Sequence, residues 1–371
     1  MSAAHATVDL DDTRALLDAD RDGLLRYAAM SGAAVRATAA AVDEGALESL
    51  ATDERPRTVI WLARRGPAEI AGAMLAAVLG ARAGEPLVTA AYVPPWIGPL
   101  DVLIVAGDDP ADPVLVSAAA MAVRRGARVV VAAPFEGPLR DATAARAAVL
   151  APRLWTPEEF GLCRYLAAGL GTLSAVDPGL SALGDGLGEL ADELDAEALR
   201  NSPDREVFTN PAKALAGRMA GRRTVLAGDS PATLALARHG AEVLLRVSGQ
   251  VVAAAGLADA LVAIRRAAAK RLGEWSGSGA PRRFADPVDA LFHDEEIDGP
   301  LPERSRVLAC VLADEHRMLS ARVEGIDDVD LVCAEDVGEA GSVQASSIEQ
   351  QLAMLAVRIE MAAVYLGLAG G

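Results

Sequence analysis

The chain has 371 residues, 52% of them hydrophobic and only 4% aromatic, with 35 basic side chains against 52 acidic ones. That length supports two domains of ordinary size, with cores of Ala, Val and Leu rather than aromatic clusters. A formal net charge of −17 argues against nucleic acid and anionic membrane as partners. It also repels phosphorylated molecules at long range, so a phosphate would need a local positive pocket.

The three cysteines, Cys163, Cys310 and Cys333, are widely spaced in apolar runs and read as buried, reduced thiols of a cytoplasmic protein. The first residues lack the basic stretch and apolar run of a secretory signal, and no segment is expected to reach the apolar length of a transmembrane helix. Lys213 and Lys270 are the only lysines.

In chain order, Asp11 to about Val42 is expected to be a single helix. Strands and helices then alternate: Arg57–Ala63 strand, Pro67–Ala81 helix, Leu87–Tyr92 and Asp101–Ala106 strands, Pro113–Arg125 helix, Arg128–Ala133 strand and Ala147–Leu150 strand. Continuous apolar strands in such alternation indicate a doubly wound α/β architecture, a parallel sheet covered on both faces. Thr156-Pro-Glu-Glu159 reads as a capping box opening a further helix. A long helix is expected after Asp177-Pro178, with Leu180, Leu183, Leu187, Leu190 and Leu194 in one stripe. The polar stretch Arg200–Thr209 reads as a linker, dividing residues 1–199 from 200–371.

The second half begins again. Arg223-Thr-Val entering Ser230-Pro231 echoes Arg57-Thr-Val entering Gly66-Pro67, which points to two similar units in tandem. Gln250–Ala255, Arg304–Leu312 and Asp328–Ala334 supply strands. Ser346 and Glu349 read as the capping box of a final helix burying Ile348, Leu352, Leu355, Ile359, Ala363 and Leu366. Residues 273–302 are rich in Gly, Ser, Pro and acid, and read as either a surface loop or part of a site.

The order of elements resembles the sugar isomerase (SIS) fold in duplicate, and within it the bifunctional phosphoglucose/phosphomannose isomerase family. The segments that carry the resemblance are Asp101–Ala133, Thr58–Gly72, the second unit from Thr224, and the closing Ala363-Val-Tyr-Leu-Gly-Leu368. It spans most of the chain, on motifs that are mainly hydrophobic architecture. The resemblance implies two SIS-like units, a homodimer, no cofactor and no metal, and aldose–ketose isomerisation of glucose-6-phosphate or mannose-6-phosphate and fructose-6-phosphate.

The residues that would do this chemistry are altered. Such isomerases hold phosphate with a serine in the first loop and a Ser-x-Ser-Gly-x-Thr pattern at a helix start. Here the first loop is Ala63-Arg-Arg-Gly-Pro67, and a gapless match puts Asp108, Pro110, Ala111 and Pro113 on the Ser, Ser, Gly and Thr positions. Asp112-Pro113 is instead a well-formed helix start, with a capping carboxylate and proline at the first helical position. Gly66-Pro67, Asn210-Pro211, Ser230-Pro231 and Asp286-Pro287 read as helix starts of the same kind. Arg64 and Arg65 could bind an anion bidentately, or pair with Asp108 and Asp109 across the neighbouring loops.

Isomerisation needs a carboxylate that shuttles a proton and a group that opens the sugar ring. The resemblance places the family's glutamate at Val243, one residue from Glu242, and a basic position at Arg246. His239 and Glu242 could touch at i, i+3 if the helix continues through Gly240, or could form a solvated pair. His293 lies among acids that would raise its pKa if close, and His316 follows Asp314 and Glu315 without a recognised metal-ligand spacing. The candidate site is therefore Glu242, His239 and His293 for proton transfer, with Arg64, Arg65, Gly66, Asp108, Ser230 and Arg246 for binding. Two further readings use the same scaffold: a non-catalytic protein that binds a sugar derivative or regulates a partner enzyme, and a different small-molecule enzyme.

Overall fold

The computed structural model of the protein describes residues 8–52, 54–274, 305–334 and 346–370. The N-terminal stretch expected as one helix is three: α1 (Thr13–Ala19), α2 (Leu24–Ala28) and α3 (Ser31–Asp43). Asp20 explains the break. Its carboxylate oxygens accept from the N–H groups of Leu24 and Leu25 at 2.8 and 3.0 Å, and Gly23 takes φ +67° just before α2. A side chain that caps a new start competes with continuation of the old helix.

The first unit follows as β1 (Thr58–Leu62), α4 (Gly66–Leu79), β2 (Leu87–Ala90), β3 (Asp101–Ala106), α5 (Pro113–Arg124), β4 (Arg128–Ala132), α6 (Gly137–Thr143) and β5 (Ala147–Val149). The strands form one parallel sheet in the order β2-β1-β3-β4-β5. β1 and β3 are buried along their whole length, as strands covered on both faces must be. Trp61 fixes how α4 lies on the sheet: its indole N–H donates to the Ala68 carbonyl at 2.8 Å. A Cβ at Gly72 would come within 2.2 Å of the ring, so only glycine permits this approach.

The expected capping box at Thr156 is not formed. Glu158–Phe160 is a single 3-10 turn without a side-chain cap, and the helix after it, α7 (Leu162–Val176), is almost entirely buried. The long helix expected after Pro178 is interrupted, giving α8 (Ala182–Asp185) and α9 (Leu187–Arg200). Leu180, Leu187, Leu190 and Leu194 of its stripe are buried. The linker that follows is pinned in place. Lys213 of α10 (Pro211–Met219) donates to the carbonyls of Pro203 and Arg205 at 2.8 and 2.7 Å, and the Tyr365 hydroxyl donates to the Asn201 carbonyl at 2.6 Å.

The second unit comprises β6 (Arg223–Gly228), α11 (Pro231–Ser248), β7 (Ala253–Gly256), α12 (Leu257–Glu274), β8 (Ser305–Val311), α13 (Ala313–Val323) and β9 (Val329–Cys333). Its strands are parallel in the order β7-β6-β8-β9. β1 and β6 occupy equivalent central positions, so the Arg-Thr-Val echo falls on corresponding strands. Asp286-Pro287, His293 and most of the acidic insertion lie outside the described residues. Cys163 and Cys310 are buried free thiols and Cys333 is half-buried.

The last helix, α14 (Ile348–Gly370), packs against α2, α7, α9, α10 and α11 and joins the two units in a shared core. Leu352, Leu355, Ile359, Ala363 and Leu366 are buried, but Ile348 is exposed. Its cap lies one residue later than expected. The Ser347 hydroxyl accepts from the Gln350 N–H at 3.2 Å, and the Gln350 side chain accepts from the Ser347 N–H at 2.7 Å. Glu349 instead pairs with Arg82 at 2.8 Å. Contrary to the sequence expectation, α14 is long and apolar enough to cross a membrane, the one such helix among the described residues. Here protein surrounds it, as an all-round hydrophobic helix requires.

α11 does continue through Gly240, where a Cβ would meet Leu226 and Ile359 at 2.6 and 2.9 Å. His239 points into this contact, with Nε2 2.8 Å from Glu360 Oε1 of α14 and both side chains fully buried. Burial pushes the Glu360 carboxyl above its ordinary value, with the His239 hydrogen bond working against the shift. A raised folded-state pKa favours folding below the unfolded value and loses that contribution as pH rises through the folded one. Urea unfolding between pH 4 and 8 should therefore show wild type losing stability relative to Glu360→Gln as pH rises. Parallel pH profiles would show that Glu360 is not protonated in the fold.

Candidate functional site

In open parallel sheets, ligands approach the carboxyl ends of strands where the strand order reverses. In the first sheet that point lies between β1 and β3, so the loops Ala63–Arg65 and Gly107–Asp112 face each other. Asp112 caps α5 as expected, accepting from the N–H groups of Val114 and Leu115 at 2.8 and 3.4 Å. Its carboxylate thus takes up backbone donors at a helix start that would otherwise favour a bound anion.

The arginines pair, but not with the expected partners. Arg64 Nη1 lies 3.2 Å from both Asp112 oxygens, and Arg65 Nη1 lies 2.6 Å from Glu158 Oε1. Asp108 is held by Arg164 at 3.0 Å, and Asp109 accepts from the Ala111 N–H at 2.8 Å. Arg164 decides this outcome. It sits in the first turn of α7 with 7% of its surface exposed, stacked on the Tyr165 ring at 4.0 Å. A guanidinium so placed needs a nearby carboxylate, and Asp108 supplies it. Burial raises the Asp108 pKa while Arg164 opposes the rise.

Arg246, in the last turn of α11, brings the second unit to the same place: its Nη1 is 3.4 Å from Glu158 Oε2. Gly66, with φ +63°, opens α4 at this point. The structure thus groups Arg64, Arg65, Gly66, Asp108 and Arg246, and adds Asp112, Glu158 and Arg164. Ser230 belongs to the second sheet's own switch point, where it caps α11 in a reciprocal box with Thr233. The His239–Glu242 pair is not formed: His239 is turned inward onto Glu360 of α14, and Glu242 is exposed. His316 lines a separate cleft of about 370 Å³ with Phe208, Arg218 and Arg358 beside β9. The charged cluster at β1 and β3, by contrast, has the position and chemistry of a site.

Three participants were overlooked in the sequence. Arg164 and Glu360 could have been found as isolated charges inside apolar helices, where each must have a partner. Glu158 gave no such signal, because its position also fits a helix cap.

Solved structures share this architecture. Tagatose-6-phosphate ketose/aldose isomerase from Escherichia coli matches with a TM-score of 0.59 over 99% of this chain and 96% of its own, at 15% identity. The C-terminal domain of glucosamine-fructose-6-phosphate aminotransferase from Francisella tularensis matches with a TM-score of 0.56 over 93% and 96%, at 10% identity. No family model matches the chain, and no curated protein matches it in sequence. The protein therefore has the duplicated sugar isomerase fold, with two parallel α/β units. Within that class it is a divergent example, whose likeness to phosphosugar isomerases lies in architecture.

Partial burial opposes ionisation of Asp112, but the bonds from Val114, Arg64 and Leu115 outweigh it, and its pKa lies below the ordinary value. A lowered pKa adds stability above the unfolded value and loses it as pH falls through the folded one. Asp112→Ala should cost about 1 kcal/mol, as for a lost helix cap, at pH 7 in urea unfolding. The difference from wild type should shrink toward pH 3. A cost that does not vary with pH would mean that the carboxylate charge plays no part.

Proposed function

We propose that the protein binds a sugar derivative on a phosphosugar-isomerase-like fold without interconverting aldose and ketose. The observation that carries this reading is the orientation of His239. It is fully buried on Glu360, while Glu242, its expected partner in proton transfer, faces solvent. An acid and a base must both reach the same substrate atoms, and His239 is sealed in the core against Glu360 while Glu242 is exposed. The loops support the reading as well, since Asp108, Pro110 and Pro113 stand on the hydroxyl positions of the resembled pattern. Arg64, Arg65, Gly66 and Arg246 remain as ligand-facing groups at the meeting of the two units.

Coupled assays with glucose-6-phosphate, mannose-6-phosphate and fructose-6-phosphate should show no turnover above buffer, while at least one hexose derivative raises Tm. Turnover that disappears in Glu242→Gln would replace this reading with an isomerase whose site has been rebuilt. No thermal shift with any hexose or hexose derivative would remove sugar binding.

A further inference from the structure

Two arginines stand together at the amino end of the first sheet, on the side away from the candidate site. Val129 of β4 pairs in parallel with Ala147 of β5, so Arg128 and Arg146 lie side by side one step earlier. Both line a cleft of about 280 Å³, with Ser49, Leu50 and Val123 among its other walls. Neighbouring strands are about 4.8 Å apart, and like charges placed across from each other at that spacing repel. Arg146 follows Ala144 and Ala145, which take φ +48° and +56°. Residues other than glycine avoid that left-handed conformation, yet two in succession adopt it to bring Arg146 to the start of β5.

Neither charge is neutralised by a bonded carboxylate among the described residues. Arg128 Nη1 donates to two neutral acceptors, the Leu50 carbonyl at 2.9 Å and the Thr52 hydroxyl at 3.0 Å. Burial pulls its pKa down, and the charge of Glu85 does not fully offset this. Glu85 is itself a poor counter-ion. It is 4% exposed, both its carboxyl oxygens lack a hydrogen-bond partner, and burial followed by the nearby Asp177 raises its pKa. Arg146 is exposed and makes no ion pair among the described residues, and no described acidic side chain lines the cleft. The arginines of the candidate site differ, since Arg64, Arg65, Arg164 and Arg246 each meet a carboxylate of the chain.

We propose that this cleft binds a small organic acid, whose carboxylate bridges Arg128 and Arg146. A planar carboxylate matches the guanidinium fork and removes the repulsion between the two cations. The Ser49 hydroxyl adds a donor, and Leu50 and Val123 offer an aliphatic wall to a short apolar stem. Ligand pockets start at roughly 300 Å³, so a cleft of this size suits a small molecule. The site is separate from the sugar-derivative reading, whose ligand enters at the carboxyl ends of β1 and β3. A chain of net charge −17 repels anions at long range, and a local pair of uncompensated cations is what retains one here.

Calorimetric titration of the full chain with butyrate, butyramide and sulfate at constant ionic strength tests the proposal. Butyrate should bind wild type at least tenfold more tightly than sulfate, and butyramide should not bind. Arg146→Gln should weaken butyrate at least tenfold while unfolding like wild type, because the Arg146 side chain is exposed and holds nothing else in place. Arg146→Glu sets an acid beside Arg128, so it should abolish butyrate binding and raise the Tm of the free protein. Absence of butyrate binding in wild type would overturn the proposal, as would unchanged affinity in Arg146→Gln. Sulfate bound as tightly as butyrate, and lost in the same variant, would overturn the assignment to a carboxylate and leave an unselective basic patch.

Discussion

Everything else in the structure depends on how α14 is allowed to be buried. This helix is enclosed by protein along most of its length yet carries Glu349, Arg358 and Glu360. A charge or polar group removed from water without a partner is costly, so the helix occupies the core where three partners meet it. They come from three parts of the chain: Arg82 just beyond α4, Glu197 on α9 and His239 on α11. Burial alone would push the Glu197 carboxyl up, but Arg358 and Arg200 outweigh it and keep it below the ordinary range. Arg358 also donates to the carbonyls of Cys333, the last residue of β9, and Ala334. With these bonds made, the rotation and register of α14 are determined, and the two units are locked at one mutual position.

That position packs α11 against α4, so Arg246 reaches Glu158, which also holds Arg65 of the loop after β1. The resulting cluster shows how depth changes what an ion pair does. The His239–Glu360 and Arg358–Glu197 pairs are buried and act as fixed joints, whereas Arg82 of the Glu349 pair is half exposed. Pairs among Arg64, Arg65, Arg246, Asp112 and Glu158 lie at the surface, where each is worth about 0 to 1 kcal/mol and its partners can be exchanged. In a chain of net charge −17, arginines gathered at a sheet's switch point are neutralised by the chain's own carboxylates.

The fold was largely legible because it is written in short-range patterns. The strands from Thr58–Leu62 to Ala147–Val149 fall within the apolar runs, and Pro67, Pro113, Pro211 and Pro231 all sit at helix starts, since proline suits the first turn. What could not be read was mostly long-range. His239 and Glu360 are 121 positions apart, and nothing local distinguishes a histidine that faces an acid in the core from one that faces solvent. The same limit affected Arg64, Arg65 and Asp108, whose charges were evident while Arg164 and Glu158 were not counted as competitors. Local signals misled where two were superimposed. Ser346 and Ser347 both offer a cap; Ser347 takes it with Gln350, and Glu349 pairs with Arg82.

Asp112 shows why the altered loop concerns ligand preference as well as stability. Serine or asparagine at that position would cap α5 about as well as aspartate, so helix stability alone does not call for a carboxylate. What aspartate adds is a full negative charge at the start of α5, and that charge draws Arg64 onto itself. A loop built this way is ordered without a ligand and repels phosphate at α5. The neighbouring helix start, at α4, differs in kind: it has no capping side chain of its own, and its negative partner comes from a separate turn. The two switch-point helices therefore differ, one closed by its own cap and the other covered by the Glu158 carboxylate of a separate turn.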